Sequence, residues 1–174
     1  MTQPLPTLLA TDRLLLRPFA RTDVAAVHAY AGDPEVCAYL DWGPNTREES
    51  EAYVDDVASR PPHRVDLAIV ERASNRLIGT VAAEPTGARR AEVGWVLHRA
   101  YWGQGYATEA ARELVGFVAG DPDVDVIASR VRPANAQSHR VVRKIGMRLV
   151  ERIERDKLVR GEWVDSDLYE VDAR

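Results

Sequence analysis

The segment that most narrows what this chain can become is Tyr101-Trp102-Gly103-Gln104-Gly105-Tyr106-Ala107-Thr108-Glu109-Ala110. It joins a β-type run, Ala91 to His98, to the clearest helix in the sequence, Gly105 to Ala119. In the run, Val93, Trp95 and Leu97 alternate with Glu92, Gly94 and Val96, the period of a strand. In the helix, Ala107, Ala110, Ala111, Leu114, Val115 and Val118 form one apolar stripe, and Gly120 and Pro122 end it. Two glycines let the backbone turn tightly and approach a ligand without a Cβ in the way. The helix start leaves N–H groups unpaired and carries partial positive charge. The segment therefore reads as a cradle for a pyrophosphate; from the glycines alone, a tight turn for packing is an equal alternative. A Walker loop would need Gly-Lys-Ser/Thr, and a dinucleotide GxGxxG would need glycine at Thr108, so neither fits.

Around this segment the chain alternates strands and helices. Arg13 to Pro18 is a strand stopped by its proline. Thr22 or Asp23 caps a short helix through about Tyr30, and Thr46 with Glu49 has the capping-box spacing of a second helix to about Ser59. Pro61-Pro62 reads as a loop. Val65 to Glu71 and Leu77 to Ala83 form a hairpin around Ala73-Ser74-Asn75. After the central helix come a strand, Asp125 to Val131, a helix, Ala136 to Ile145, and two strands, Met147 to Glu154 and Trp163 to Val171. The order β-α-α-β-β-β-α-β-α-β-β predicts an α/β fold with a mixed sheet and a helical crossover between consecutive strands.

Composition excludes several classes of function. A chain of 174 residues is expected to form one domain, and its 45% hydrophobic and 29% charged residues are those of a folded globule. A net charge of −4 provides no global basic field for nucleic acid. The single cysteine, Cys37, cannot make an internal disulfide or a structural zinc site, and it reads as a buried apolar residue. The histidines show no metal-ligand spacing, so no metal is expected. No stretch approaches the ~20 apolar residues of a membrane helix. Met1 to Leu9 lacks a signal-peptide pattern, so the expected location is the cytoplasm.

Four segments in order carry a family resemblance: Glu92-Val-Gly-Trp-Val-Leu97, Tyr101 to Ala110, Pro133-Ala-Asn-Ala-Gln-Ser138 and Lys144-Ile-Gly-Met147. Together they resemble the GNAT acyltransferase superfamily. The opening Thr11 to Phe19 and the closing Gly161-Glu-Trp-Val-Asp165 with Tyr169 resemble its ribosomal-protein N-acetyltransferase (RimJ/RimL-like) branch. The resemblance implies a GNAT fold, with a mixed, mostly antiparallel twisted sheet flanked by helices, and acetyl-CoA as cosubstrate. It places the CoA pyrophosphate on the backbone of Gly103, Gln104, Gly105, Tyr106 and Ala107, and the pantetheine arm along Trp95, Val96 and Leu97. Trp102 stands where relatives carry Gln or Arg, so that side chain's role does not transfer. Asn135 matches a position contacting pantetheine or the acetyl group; a helix N-cap is its other reading. Ser138 matches the group that protonates or hydrogen-bonds the leaving sulfur; a bond to the carbonyl one turn back is the alternative.

The implied reaction is direct attack of an amine on the thioester within a ternary complex. A lysine amine at pKa ~10.4 costs about 4 kcal/mol to deprotonate near neutrality, an α-amine near ~7.7–8 under about 1 kcal/mol. Glu92, on the strand beside the thioester, is the candidate base, acting through water; a solvated strand carboxylate is the other reading. In Tyr39-Leu-Asp-Trp-Gly-Pro44, Asp41 is the candidate to attract a cationic amine and Trp42 to wall the site, unless Trp42 packs in the core. Arg89, Arg90 and Arg99 are candidates for CoA phosphates or solvated surface. The branch points to protein N-termini as acceptors, while related chains modify antibiotics and small amines. A CoA-binding sensor without catalysis is a competing function. C-terminal strand edges leave monomer and homodimer both open.

Overall fold

The computed structural model describes residues 8–59 and 64–174; Met1 to Thr7 and the Pro61-Pro62 loop lie outside the described residues. The strands are β1 (Leu9–Ala10), β2 (Leu14–Arg17), β3 (Val65–Glu71), β4 (Arg76–Gly87), β5 (Arg90–Leu97), β6 (Val126–Val131), β7 (Arg148–Val159) and β8 (Glu162–Asp172). The helices are α1 (Val24–Ala31), α2 (Pro34–Cys37), α3 (Arg47–Ser59), α4 (Tyr106–Ala119) and α5 (Ala136–Lys144). The expected order stands, with three differences. A two-residue β1 precedes it, a one-turn α2 sits between the first two long helices, and the last two strands form a much longer hairpin.

The thirteen-residue α3 starts as its sequence dictates. The Thr46 N–H donates to the Glu49 carboxylate at 2.7 Å and the Glu49 N–H to Thr46 Oγ1 at 3.2 Å, closing the capping box. Asp23 departs from expectation. It caps no helical N–H; it accepts from the Ala20 N–H at 2.8 Å and pairs with both Arg17 nitrogens, at 2.7 and 2.9 Å. Burial opposes its charge, but the Arg17 guanidinium and the Ala20 N–H hold its carboxyl below the ordinary range. The pair fastens β2 to the start of α1.

One sheet runs through the molecule in the order β1-β2-β3-β4-β5-β6-β8-β7. Every neighbouring pair is antiparallel except β5 and β6, joined in parallel through the α4 crossover. Each sheet face has its own core. Ala91, Val93 and Leu97 meet Tyr106, Ala110, Leu114 and Val118 of α4 on one face. On the other, Ala68 packs with Phe19, Val27, Tyr30 and Val54 beneath α1 and α3. Each fully buried large aliphatic contributes roughly 1.5–3 kcal/mol relative to exposure, so the α4 face of β5 is held firmly.

The parallel pairing is short. Only Arg90, Ala91 and Glu92 of β5 pair with β6, against Val126, Ile127 and Ala128. Beyond those positions the strands part, and the chain is left with a wedge between Val93–Leu97 and Ser129–Val131.

Candidate active site

The wedge opens into a cavity of about 1110 Å3. That exceeds the roughly 300–1,000 Å3 of one small-molecule site and leaves room for two reactants. Trp95, Val96 and Leu97 line one wall, Ser129, Arg130 and Val131 the other, and Gly103, Gly105, Tyr106 and Ala107 the end beside α4.

Strand alternation decides what β5 offers. The His98 N–H donates to the Ile78 carbonyl at 2.8 Å, and the β4–β5 register extends from that pair. Antiparallel alternation then assigns the backbone groups of Val96 and Gly94 to β4 and turns those of Trp95 and Leu97 toward the wedge. Of the three expected positions, Trp95 and Leu97 present polar backbone, whereas Val96 contributes its side chain. An unpaired strand edge of this kind is open to water or to a partner with amides of its own. Trp102 takes up one group: its indole Nε1 donates to the Leu97 carbonyl at 2.9 Å. The residue whose role the resemblance could not transfer thus pins the end of β5 to the turn that follows.

The turn adopts the conformation its glycines allow. Gly103 has φ +74 and Gly105, the residue before α4, φ +86. A Cβ on Gly103 would meet nothing within 4 Å, so the space in front of it is open. Among the described residues no side chain caps α4, which leaves its first N–H groups to face an anion. Gln104 is turned away: its side-chain Nε2 donates to the Ala100 carbonyl at 2.9 Å, and it is not among the lining residues.

Behind the turn sits a clamp that sequence reading did not find. Arg13 donates Nη1 to the Gln104 carbonyl at 3.0 Å and Nε to Glu109 Oε2 at 2.7 Å. Glu109 also accepts from Thr11 Oγ1 at 2.6 Å and the Arg13 N–H at 2.9 Å. Although burial opposes its charge, these donors hold the Glu109 carboxyl below its ordinary range. The Arg13 guanidinium lies 4.4 Å from the Tyr106 ring centroid, and Tyr106 donates its hydroxyl to Glu71. Nothing local signals this clamp, because its halves lie 96 residues apart.

On α5, Asn135 is the N-cap, its Oδ1 accepting the Ser138 N–H at 3.0 Å. Both residues line the cavity. The alternative bond from Ser138 Oγ to the carbonyl one turn back is not made; among the described residues that hydroxyl has no hydrogen bond. Arg140 and Lys144, one turn apart on α5, line the cavity too and lie on the same helix as Ser138. Arg89, Arg90 and Arg99 are instead paired with Asp125, with Glu170 and with Asp33 and Glu35.

Glu92 lies on the β5 face opposite α4, bonded to Arg130, which approaches Asp156 at 3.6 Å on its other side. Arg130 lines the cavity and Glu92 does not, so the carboxylate reaches it only past the guanidinium or through water. Burial pushes the Glu92 carboxyl up, against the opposing pull of Arg130 and Lys157. Next to Glu92 on the same face, Gly94 and Ala82 line the cavity, and a Cβ on Gly94 would meet nothing within 4 Å. Trp42 lines the cavity, but Asp41 is turned to Lys157 Nζ at 2.7 Å and is not among the lining residues. Cys37 is buried, its Sγ 3.2 Å from the Ala31 carbonyl. Among the described residues no helix is long and apolar enough to cross a membrane.

Comparison with known proteins bears on the family and the fold. The acetyltransferase (GNAT) domain family matches residues 13–148. YnaD, an uncharacterized N-acetyltransferase of Bacillus subtilis (strain 168), is 30% identical over 94% of this chain and 95% of its own. A GNAT-family acetyltransferase from Bacillus anthracis, solved by crystallography, superposes with a TM-score of 0.86 at 28% identity, covering 95% of this chain and 98% of that one. RimL, a ribosomal L7/L12 alpha-N-protein acetyltransferase solved in complex with coenzyme A, superposes with a TM-score of 0.82 at 19% identity. That match covers 95% of this chain and 97% of RimL, and at such identity it speaks for the fold.

Proposed function

The chain belongs to the GNAT acetyltransferase family, and from that premise we propose that it transfers the acetyl group of acetyl-CoA to a primary amine in a ternary complex. The observation that carries this reading is the wedge: strands that part after Glu92 and Ala128, beside an uncapped helix preceded by two left-handed glycines. The exposed backbone of Trp95 and Leu97 suits the two amides of a pantetheine arm, and the amides from Gly103 to Ala107 suit a pyrophosphate. Asn135 orders the start of α5. Arg140 and Lys144 supply positive charge along the same wall.

Acetyl-CoA supplies an activated thioester carbonyl. The neutral amine forms the N–C bond as the C–S bond breaks. Ser138 Oγ donates a hydrogen bond to the departing sulfur, and the proton it passes to the thiolate is restored to it from solvent water. The proton leaving the nitrogen passes by water to Glu92, which burial makes a stronger base than an exposed carboxylate. An α-amine, needing under about 1 kcal/mol to deprotonate, demands least of this base. That argument and the RimL likeness favour a protein or peptide N-terminus over a lysine or polyamine as acceptor.

Thermal melting with acetyl-CoA, against ATP and NAD controls, tests the cosubstrate. Ligand at ~100 times Kd is expected to add about 2.7 kcal/mol of stability. A selective shift supports the reading; no shift under saturation removes it. A panel of an N-terminal alanyl pentapeptide, free amino acids, spermidine and kanamycin, followed by CoA release, then ranks the acceptors. Binding without release from any amine would favour a sensor. The pH profile tests the base. Because burial raises the Glu92 pKa, kcat at saturating amine should be full above that pKa and fall as pH drops through it. Glu92→Gln should abolish this limb; a limb unchanged in the variant assigns the titration elsewhere.

A further inference from the structure

The β7–β8 hairpin ends in a two-residue turn, Arg160-Gly161, closed by the Val159–Glu162 pair. Both turn residues are left-handed, with φ +49 and +86. Such a turn favours Asn-Gly, and an arginine in its first position is strained. The turn itself does not explain the arginine, but its contacts do. Arg160 Nη2 lies 3.2, 3.1 and 2.7 Å from the carbonyl oxygens of Cys37, Trp42 and Gly43. Lys157 of the same hairpin reaches Asp41 at 2.7 Å.

All four contacts fall at the end of α2 or in the segment 38–46 that joins it to α3. Before Thr46, which the α3 capping box holds, the backbone of that segment is sparsely tied: the Leu40 N–H bonds to the Cys37 carbonyl and the Asn45 N–H to the Ala31 carbonyl. Segments with so few bonds open easily unless something else holds them. Tyr39, Leu40, Trp42 and Asn45 of this segment line the cavity, and Tyr39 and Trp42 remain exposed. The glycine turn, Trp95, Leu97 and α5 account for the cosubstrate's wall, which leaves this segment to the acceptor.

We propose that Arg160 is a positioning residue for the acceptor. From a hairpin tip 117 residues along the chain, it holds the Trp42 segment as a fixed wall of the acceptor half of the cavity, and Lys157 assists through Asp41. The proposal rests on the acyl-transfer reading for its kinetic consequence, but not for its structural one.

Arg160→Asn is the decisive variant, because asparagine suits the left-handed turn and removes only the clasp. Hydrogen exchange across residues 38–46 is expected to accelerate at least about tenfold, with β4 and β5 unchanged. The KM of the best panel amine should rise about tenfold, kcat should change less, and the Kd for acetyl-CoA should stay within about twofold. Unchanged exchange, or faster exchange with unchanged KM, overturns the proposal. An equal rise in the acetyl-CoA Kd also overturns it, since that marks general loosening. If wild-type protein acetylates no panel amine, the acyl-transfer reading fails on its own, and the exchange rates alone uphold or overturn the clasp.

Discussion

Replacing Ser138 by alanine is expected to lower kcat roughly 10²–10³-fold, the range for losing one donor to a charge that develops in the transition state. The Kd for acetyl-CoA should stay within about twofold, because the lost hydroxyl acts on sulfur only as the C–S bond breaks. The geometry makes this substitution clean. Asn135 caps α5 through the backbone N–H of Ser138, not its hydroxyl, so alanine leaves the cap intact. The side chain is half-buried at the cavity wall, and its removal unpairs no other described group. Steady-state CoA release and calorimetric titration with acetyl-CoA separate the two effects. An unchanged kcat would remove Ser138 from the chemistry and leave it as one more first-turn residue.

Gly79→Ala should be among the most damaging single-methyl additions to the sheet. A Cβ there would lie 2.2 Å from the Val96 carbonyl oxygen, 2.7 Å from Leu97 Cδ2 and 3.0 Å from Leu97 Cα. Two of these are backbone atoms, so no side-chain rotation relieves the clash. Overpacking of this kind costs about 3 kcal/mol, which for a chain of this size lowers Tm by roughly 6–12 °C. Relief requires β5 to move at Val96 and Leu97, the strand that forms one wall of the wedge, so acetyl-CoA affinity should fall as well. Gly94→Ala is the matched control. Its Cβ would meet nothing within 4 Å, and Tm should change by no more than about 2 °C. Equal melting temperatures for the two variants would mean that β5 tolerates displacement at its end.

Much of the fold is legible in the chain because it is written in local patterns. The Thr46–Glu49 box, the stripe of α4 and the alternation of β5 each lie within a few turns or one strand, and each element forms where its pattern predicts. Errors arise where another group claims a side chain, whether near or remote. Asp23 looks like a helix cap, yet Arg17, six residues back, and the Ala20 N–H claim its carboxylate. Asp41 looks like a cation trap, yet Lys157 claims it. The last two strands extend further than their apolar runs, because mutual pairing and the Arg160-Gly161 turn sustain polar, largely exposed residues in a ladder.

The candidate site divides the same way. The order of motifs, the glycine turn before α4, and the Asn135 and Ser138 positions are properties of the sequence by itself, since glycine's freedom at positive φ and asparagine's capping geometry need no distant help. What only the tertiary structure decided is which groups face the wedge. Strand parity set Trp95 and Leu97 toward it and Val96 toward β4. The place where β5 and β6 part set its depth. Arg13, Trp102, Arg130 and Arg160 acquired their roles from partners brought close by folding, some of them about a hundred residues away in sequence. Hydrogen bonds and ion pairs form only within about 3–4 Å, and for residues so far apart that distance is set by the packed sheet and helices rather than by the chain between them.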